Sequence, residues 1–370
     1  MRIAIVLNTS WNIYNFRLSL IRTLLREGYE VHTIAPVDEY TQFLVAEGCI
    51  HHNVRMDSRG ANPIKDSALI AELYSIYRRV RPEIILHYTI KPNVYGTLAA
   101  TLLRIPVINN VCGLGTVFLK DNLVSAIALF LYKISFRYAR KVFFQNPDDL
   151  QLFLDKKLVS PSIVDLVPGS GIDVKHFAPV AYERHNRFTF LMISRLISDK
   201  GVYEFIEAVQ KLKAQGSSAR FQILGAIDEQ HKRGIPEKVI RSWIDDGTIE
   251  YLGTTQDVRP FIEQADCVVL PSYREGAPRT LLEAASSGRP IIATDVPGCN
   301  HVVKHEFNGL LCRIKDATDL AEKMAQMSGL NDEKLREYGH NGRTKIENEF
   351  DESLVINKYL AALSDFRKAS

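Results

Sequence analysis

The sequence predicts an α/β protein built from two doubly wound, Rossmann-like domains, and three observations carry that expectation. A chain of 370 residues is longer than one ordinary domain and can bury two separate cores. Short apolar, β-branched runs alternate with helical patterns along its length, as βαβ units require. The alternation is interrupted at the polar stretch Ala181-Tyr182-Glu183-Arg184-His185-Asn186 and then begins again.

Taken in order, strands are expected near 2–8, 30–36, 83–88, 106–110, 141–145 and 162–167, with helical segments between them. After the polar stretch come strands near 188–193, 220–224, 249–252, 267–270 and 290–294. Helical patterns at 316–327, 332–349 and 352–367 then close the chain without further strands. The domains are therefore 1–180 and 181–350, with 351–370 a last helix able to pack back on the first domain. Two such domains leave a cleft between the carboxyl edges of their sheets, where open α/β sheets bind ligands.

Composition narrows the function classes. Hydrophobic residues make up 46% and charged residues 24%, as in a globular protein. The five cysteines are scattered and form no C-x-x-C pair, which argues against a disulfide framework or a zinc site and for a reducing compartment. Arg2 to Leu7 enters a strand directly, so no signal peptide is expected. The longest apolar run, Leu123 to Tyr132, is well short of the roughly 20 residues that span a bilayer. Up to Val180, 20 Lys and Arg face 15 Asp and Glu, and beyond it 26 face 28, so the halves carry +5 and −2. That asymmetry lacks the dense basic patches of a nucleic-acid binder.

The chemistry concentrates in the second half. In "SYREGAPRTLLEAASSGRPIIATD", residues 272–295, Glu275 and Glu283 stand on either side of Pro278 between two apolar strands. Pro278 suits a helix start and Gly288 a helix stop, so Glu275 lies in a loop and Glu283 within the helix. The loop and helix start bring backbone amides and a positive dipole end to the carboxyl edge of the sheet, where anions bind. The loop after strand 188–193 adds Arg195 and Lys200, a bidentate clamp and a point charge suited to a diphosphate. Taken singly, each of these residues reads as a solvated surface charge; their common edge favours the site. Other nucleotide and metal signatures are missing: there is no G-x-G-x-x-G after Leu7, no Walker motif, no D-x-D and no H-E-x-x-H. His51-His52 has no partners at ligand spacing and reads as two surface residues of a short strand.

Arg195, Lys200, Glu275 and Glu283 together resemble the retaining, family 4 glycosyltransferases of GT-B fold, whose mark is E-x7-E preceded by an Arg and a Lys on the first strand-to-helix loop of the second domain. Tyr14-Asn15-Phe16-Arg17, Asp38 to Gln42, Gly113-Leu114-Gly115, Leu131-Tyr132-Lys133, Gly171-Ile172-Asp173 and Leu270 to Tyr273 are similar to a narrower group, bacterial enzymes that extend undecaprenyl-diphosphate-linked sugars. The resemblance implies a UDP-sugar donor, a polyprenyl-diphosphate-linked acceptor, and assembly of capsule, O-antigen or glycan. It implies no cofactor, the UDP-sugar being a substrate, and no metal. Arg195 and Lys200 would hold the donor diphosphate and Glu283 the ribose, while Glu275 with the Gly276 and Ala277 amides would meet the sugar and departing phosphate; Gly225 is implied among the donor-binding residues. Tyr14, Arg17 and Lys91 are implied on the acceptor or membrane side. Three positions depart from the pattern. The loop Asn109-Asn110-Val111-Cys112-Gly113-Leu114-Gly115 lacks the histidine many relatives carry, Ser170 stands where many have Asn, and Ala277 replaces a larger apolar residue.

Asn122 to Arg140 is apolar almost all round, yet Lys133, Arg137, Arg140 and adjoining Lys141 recur as if on one helix face. One reading is an interfacial helix on anionic lipid, which would place the protein in the cytoplasm against the inner face of the cytoplasmic membrane. The other is a core-packed crossover helix with a solvated stripe. For the molecule as a whole, a UDP-sugar epimerase of the same fold and a non-catalytic sugar-nucleotide-binding partner stand as alternatives to the transferase.

Overall fold

The computed structural model describes residues 1–57, 62–114, 123–184 and 186–369. Gly115, Asn122 and His185 of the expectations above lie outside the described residues. The chain folds into two compact units, Met1–Ser170 with Ser353–Ser370, and Gly171–Glu352.

The first unit carries strands β1 Arg2–Val6, β2 Glu30–Ile34, β3 Ile50–His52, β4 Ile84–Tyr88, β5 Val107–Val111, β6 Lys141–Phe144 and β7 Val164–Leu166. They form a parallel sheet in the order β3-β2-β1-β4-β5-β6-β7. Alternate residues of each strand face opposite sides. Ala4, Val6, Ile85 and Val107 pack with Leu69, Leu73 and Tyr77 of helix Pro63–Val80. Ile3, Ile5, Leu86 and Ile108 pack with Leu20, Ile21 and Leu24 of helix Ser10–Arg26. Burial on both faces explains why these strands read as unbroken apolar runs.

The last helix, Glu352–Ala369, belongs to this unit. Its Tyr359 is fully buried, with its ring centroid 4.9 Å from that of Phe143, and its hydroxyl accepts from Asn110 Nδ2 at 2.8 Å. Lys358 Nζ lies 2.9 Å from Asp165 Oδ1.

The second unit holds β8 Thr189–Ile193, β9 Arg220–Leu224, β10 Glu250–Tyr251, β11 Cys267–Leu270, β12 Ile291–Thr294 and β13 Gly309–Cys312, parallel in the order β10-β9-β8-β11-β12-β13. β13 was not expected from sequence. Gly309 opens it and Asn308 precedes it, which reads as a turn, but a Cβ at Gly309 would stand 2.1 Å from Ile291 O. The glycine is there because the neighbouring strand lies so close.

Residues 171–180, assigned to the first domain from sequence, sit in the second unit. Ile172 N–H donates to Phe350 O at 2.9 Å, Glu352 N–H donates to Ile172 O at 3.0 Å, and Phe177 is buried among Leu281, Leu282 and Ile346. Gly171 has φ +70° and a Cβ there would meet Glu352 Cα at 2.5 Å, so the crossing of the two segments requires glycine.

Both sheets reverse their strand order once near the middle, between β1 and β4 and between β8 and β11. Such a switch point opens a crevice at the carboxyl edge.

Candidate donor-binding site

Two loops leave the switch point of the second unit side by side. The first follows β8 and passes Arg195 and the short turn Ser198–Lys200 into helix Val202–Ala214; the second follows β11 and leads through Glu275 into helix Arg279–Ser286, with Pro278 as its N-cap. Glycines let these two loops approach each other and the loops after β9 and β12 approach them. A Cβ at Gly201 would lie 2.0 Å from Pro271 O, one at Gly225 1.8 Å from Ser194 O, and one at Gly298 2.5 Å from Glu275 O. All three have positive φ, where a side chain is strained whatever the space.

The approach joins the two halves of the sequence pattern. Lys200 Nζ forms an ion pair with Glu275 Oε1, which also accepts from Ser272 Oγ at 2.7 Å. Ser272 Oγ lies 3.2 Å from Asp199 O, and Tyr273 N–H donates to Asp199 O at 2.9 Å, lacing one loop to the other. Arg195 is more open: its side chain is 55% exposed, and its nearest acidic oxygen is Asp228 Oδ2 at 3.8 Å. A long, weakly held guanidinium beside a fixed ammonium can close on a diphosphate without first breaking a tight pair.

Glu283 lies one helical turn into Arg279–Ser286 and is buried. Burial raises its pKa, and Arg279, whose Nε donates to Glu283 Oε1 at 2.9 Å, opposes the shift. A buried, charge-assisted carboxylate suits a pair of hydroxyls. Gly276 is buried and Ala277 partly buried just before the helix, whose first amides have no partners within it. Arg279 was missed from sequence, although its i,i+4 spacing to Glu283 was legible. Asp228 and Ser272 carried no local signal.

The chain is 30% identical, over 97% of each sequence, to the N,N'-diacetylbacillosaminyl-diphospho-undecaprenol alpha-1,3-N-acetylgalactosaminyltransferase of Campylobacter jejuni. It belongs to the family 4 glycosyltransferases. Family models described as "Glycosyl transferase 4-like" and "Glycosyl transferases group 1" match residues 2–146 and 187–329. An Escherichia coli UDP-Gal:alpha-D-GlcNAc-diphosphoundecaprenol alpha-1,3-galactosyltransferase is 25% identical over 79% of this chain and 78% of its own length. Among solved structures, a glycosyltransferase from Rickettsia africae matches with a TM-score of 0.81 at 18% identity, covering 100% of this chain and 99% of that one. At that identity the likeness is one of fold, the two-domain GT-B architecture.

In the glycosyltransferase's first unit the expected acceptor-side residues have different fates. Lys91 Nζ is 2.9 Å from Asp66 Oδ1 in a largely buried pair that Tyr95 also joins, so its charge is already matched. Tyr14 packs at a tilt within an aromatic group with Tyr40 and Phe43. Arg17 is 5% exposed and has no carboxylate partner among the described residues. Its guanidinium sits 4.2 Å from the centroid of the Tyr88 ring at the carboxyl end of β4, Nη1 donates to Phe16 O, and Nε has no partner.

Several expectations need correction. Asn109, Asn110 and Val111 are not loop residues but the end of β5, both asparagines being buried. His51 and His52 are not simply surface residues: His52 Nε2 lies 2.9 Å from His32 Nδ1, and His51 Nδ1 3.1 Å from Thr33 Oγ1. Lys133, Arg137, Arg140 and Lys141 do not share one helix face. The helix stops at Ser135, a short 3-10 turn follows, Ala139 is extended and Lys141 begins β6, while Arg140 turns onto Phe366, 5.5 Å from its ring centroid. Strand pairing of β6 with β5 overrides the helical period there.

Proposed function

We propose that this glycosyltransferase moves a sugar, an N-acetylhexosamine or another hexose, from a UDP-sugar to a saccharide carried on undecaprenyl diphosphate. The transfer retains anomeric configuration, occurs at the inner face of the cytoplasmic membrane and serves assembly of a cell-surface polysaccharide. The contact between Lys200 and Glu275 carries the reading, because it places the two halves of the donor pattern on one edge beside a helix N-terminus. The activities of the Campylobacter and Escherichia relatives support a lipid-linked acceptor, and that of the Escherichia relative a UDP-sugar donor.

In this mechanism the anomeric C–O bond to the β-phosphate breaks with its electron pair going to the phosphate oxygen, the acceptor hydroxyl oxygen bonds to the anomeric carbon from the same face, and the hydroxyl proton passes to the departing phosphate. Lys200, Arg195 and the amides at the start of Arg279–Ser286 stabilise that charge as it develops, already oriented before the reaction. Two side-chain cations supply what a divalent ion would otherwise supply, so the chemistry runs without a metal or cofactor. Glu283 accepts from the ribose hydroxyls, and Glu275 orients the sugar while holding Lys200. On the acceptor side, the Arg17 guanidinium, which has no carboxylate partner among the described residues and an Nε without an acceptor, meets an anion of the lipid-linked acceptor.

The test is a screen of UDP-sugars against undecaprenyl-diphosphate-linked saccharides, read by mass spectrometry with and without EDTA. A product one sugar heavier, undiminished by EDTA, is expected. Sugar turnover without any acceptor, or activity lost to EDTA and restored by magnesium, would overturn the reading.

A further inference from the structure

At the amino edge of the first sheet, opposite the edge where Arg17 lies, the structure holds a cavity of about 420 Å³ rimmed by Lys133, Arg137 and Lys157. Lys133 is in the last turn of helix Leu123–Ser135, Arg137 on the short turn into β6, and Lys157 in the connection from helix Pro147–Asp155 toward β7. β6 and β7 are parallel neighbours, so the segments entering their amino ends are brought together. The buried residues Phe136, Leu158 and Val159 form the apolar lining. No Asp or Glu lines the cavity, and no ion pair engages any of the three cations among the described residues. Beside it, Ile127 and Phe130 are 50% and 62% exposed, and Phe130, three residues from each, is the helical neighbour of both Ile127 and Lys133.

We propose that this cavity is a binding site for the phosphate headgroup of an anionic phospholipid, with Ile127 and Phe130 entering the acyl boundary alongside. The proposal rests on the membrane-surface reading above and gives it a discrete point of attachment. Three cations without a counter-ion call for an anion, and a guanidinium with two ammoniums matches phosphate oxygens. A free phosphate in solution would gain nothing from the adjoining exposed Ile and Phe, whereas a lipid surface covers both. A diffuse basic surface responds to any nearby charge alike; a cavity distinguishes the cations that line it from those that do not.

That difference supplies the test, by co-sedimentation with vesicles of phosphatidylglycerol in phosphatidylcholine. Lys157→Gln should lower vesicle partition about fivefold, the scale of one cation at an anionic surface. Lys156→Gln, exposed next door but outside the cavity, should change it less than twofold. Ser160→Tyr, which narrows the cavity without altering charge, should lower partition as Lys157→Gln does. Transfer to a soluble short-chain acceptor should be unchanged in all three, which shows that they fold. Equal effects at Lys156 and Lys157, an unaffected Ser160→Tyr, or saturable Lys157-dependent binding of inorganic phosphate as tight as that of vesicles would each overturn the proposal while leaving the transferase reading intact. A wild-type enzyme that ignores anionic vesicles altogether would overturn it together with the membrane reading.

Discussion

At the switch point of the second sheet, Lys200, Glu275, Arg195 and Asp228 are charged, partly open to solvent and held on loops that glycines bring together. At the switch point of the first, the polar groups are sealed in and almost all neutral. His87 is fully buried between Tyr77 OH at 2.9 Å and Asn109 Oδ1 at 3.1 Å, and Asn110 ties β5 to Tyr359. Burial lowers the His87 pKa to about 3 and raises that of Tyr88 to about 12. Arg17 is the exception, a cation held against the Tyr88 ring. One strand order thus serves two kinds of edge. On the proposed reading the charged edge keeps mobile cations near water to meet developing negative charge, whereas the sealed edge uses fixed, uncharged donors and acceptors to tie β4 and β5 to their neighbours.

The sharpest way to break this contrast is at the charged edge. Lys200→Ala or Arg195→Ala should lower turnover about a hundredfold or more, the scale for losing one preorganised donor to a developing anion. Steady-state rates near wild type in either variant would show that the cations are solvated charges only. A smaller effect is expected at the exception in the other edge. Arg17→Gln should raise the acceptor KM about tenfold, the cost of one charge-assisted contact, with UDP affinity in calorimetry within about twofold. Equal losses for both ligands, or an unchanged acceptor KM, would make Arg17 a packing residue.

The smallest effect reports on how well the neutral edge is sealed. The His87 pKa is depressed from 6.5 to about 3, so its contribution to stability is complete above the unfolded value and is lost as pH falls toward the folded one. Between pH 6.5 and 5.5 the unfolded chain binds a proton that the folded chain refuses, costing about 1 kcal/mol. His87→Gln should lack that increment, and because both proteins keep His52, urea titrations at the two pH values isolate it. Parallel pH dependences would mean that the His87 ring reaches water.

The physics of neighbouring residues accounts for what was legible. Strands 220–224 and 267–270 and helix 332–349 were expected where they occur, since periodicity and caps act over a few positions. β13 was hidden because its glycine answers to a strand distant in sequence, and Arg140 left the helical stripe because β6 pairs with β5. At the site, the sequence by itself placed Arg195, Lys200 and Glu275 in loops on the carboxyl edge and Glu283 in the helix that follows, for turn chemistry and βαβ alternation decide which edge a loop occupies. Only the tertiary structure decided which of them touch. Lys200 meets Glu275 across 75 positions and Asn110 meets Tyr359 across 249, contacts fixed by sheet order and by glycines that admit close backbone approach. It likewise decided that Lys91 is matched by Asp66 while Arg17 is left without a carboxylate, because burial and pairing are properties of what packs around a side chain and not of its place in the chain.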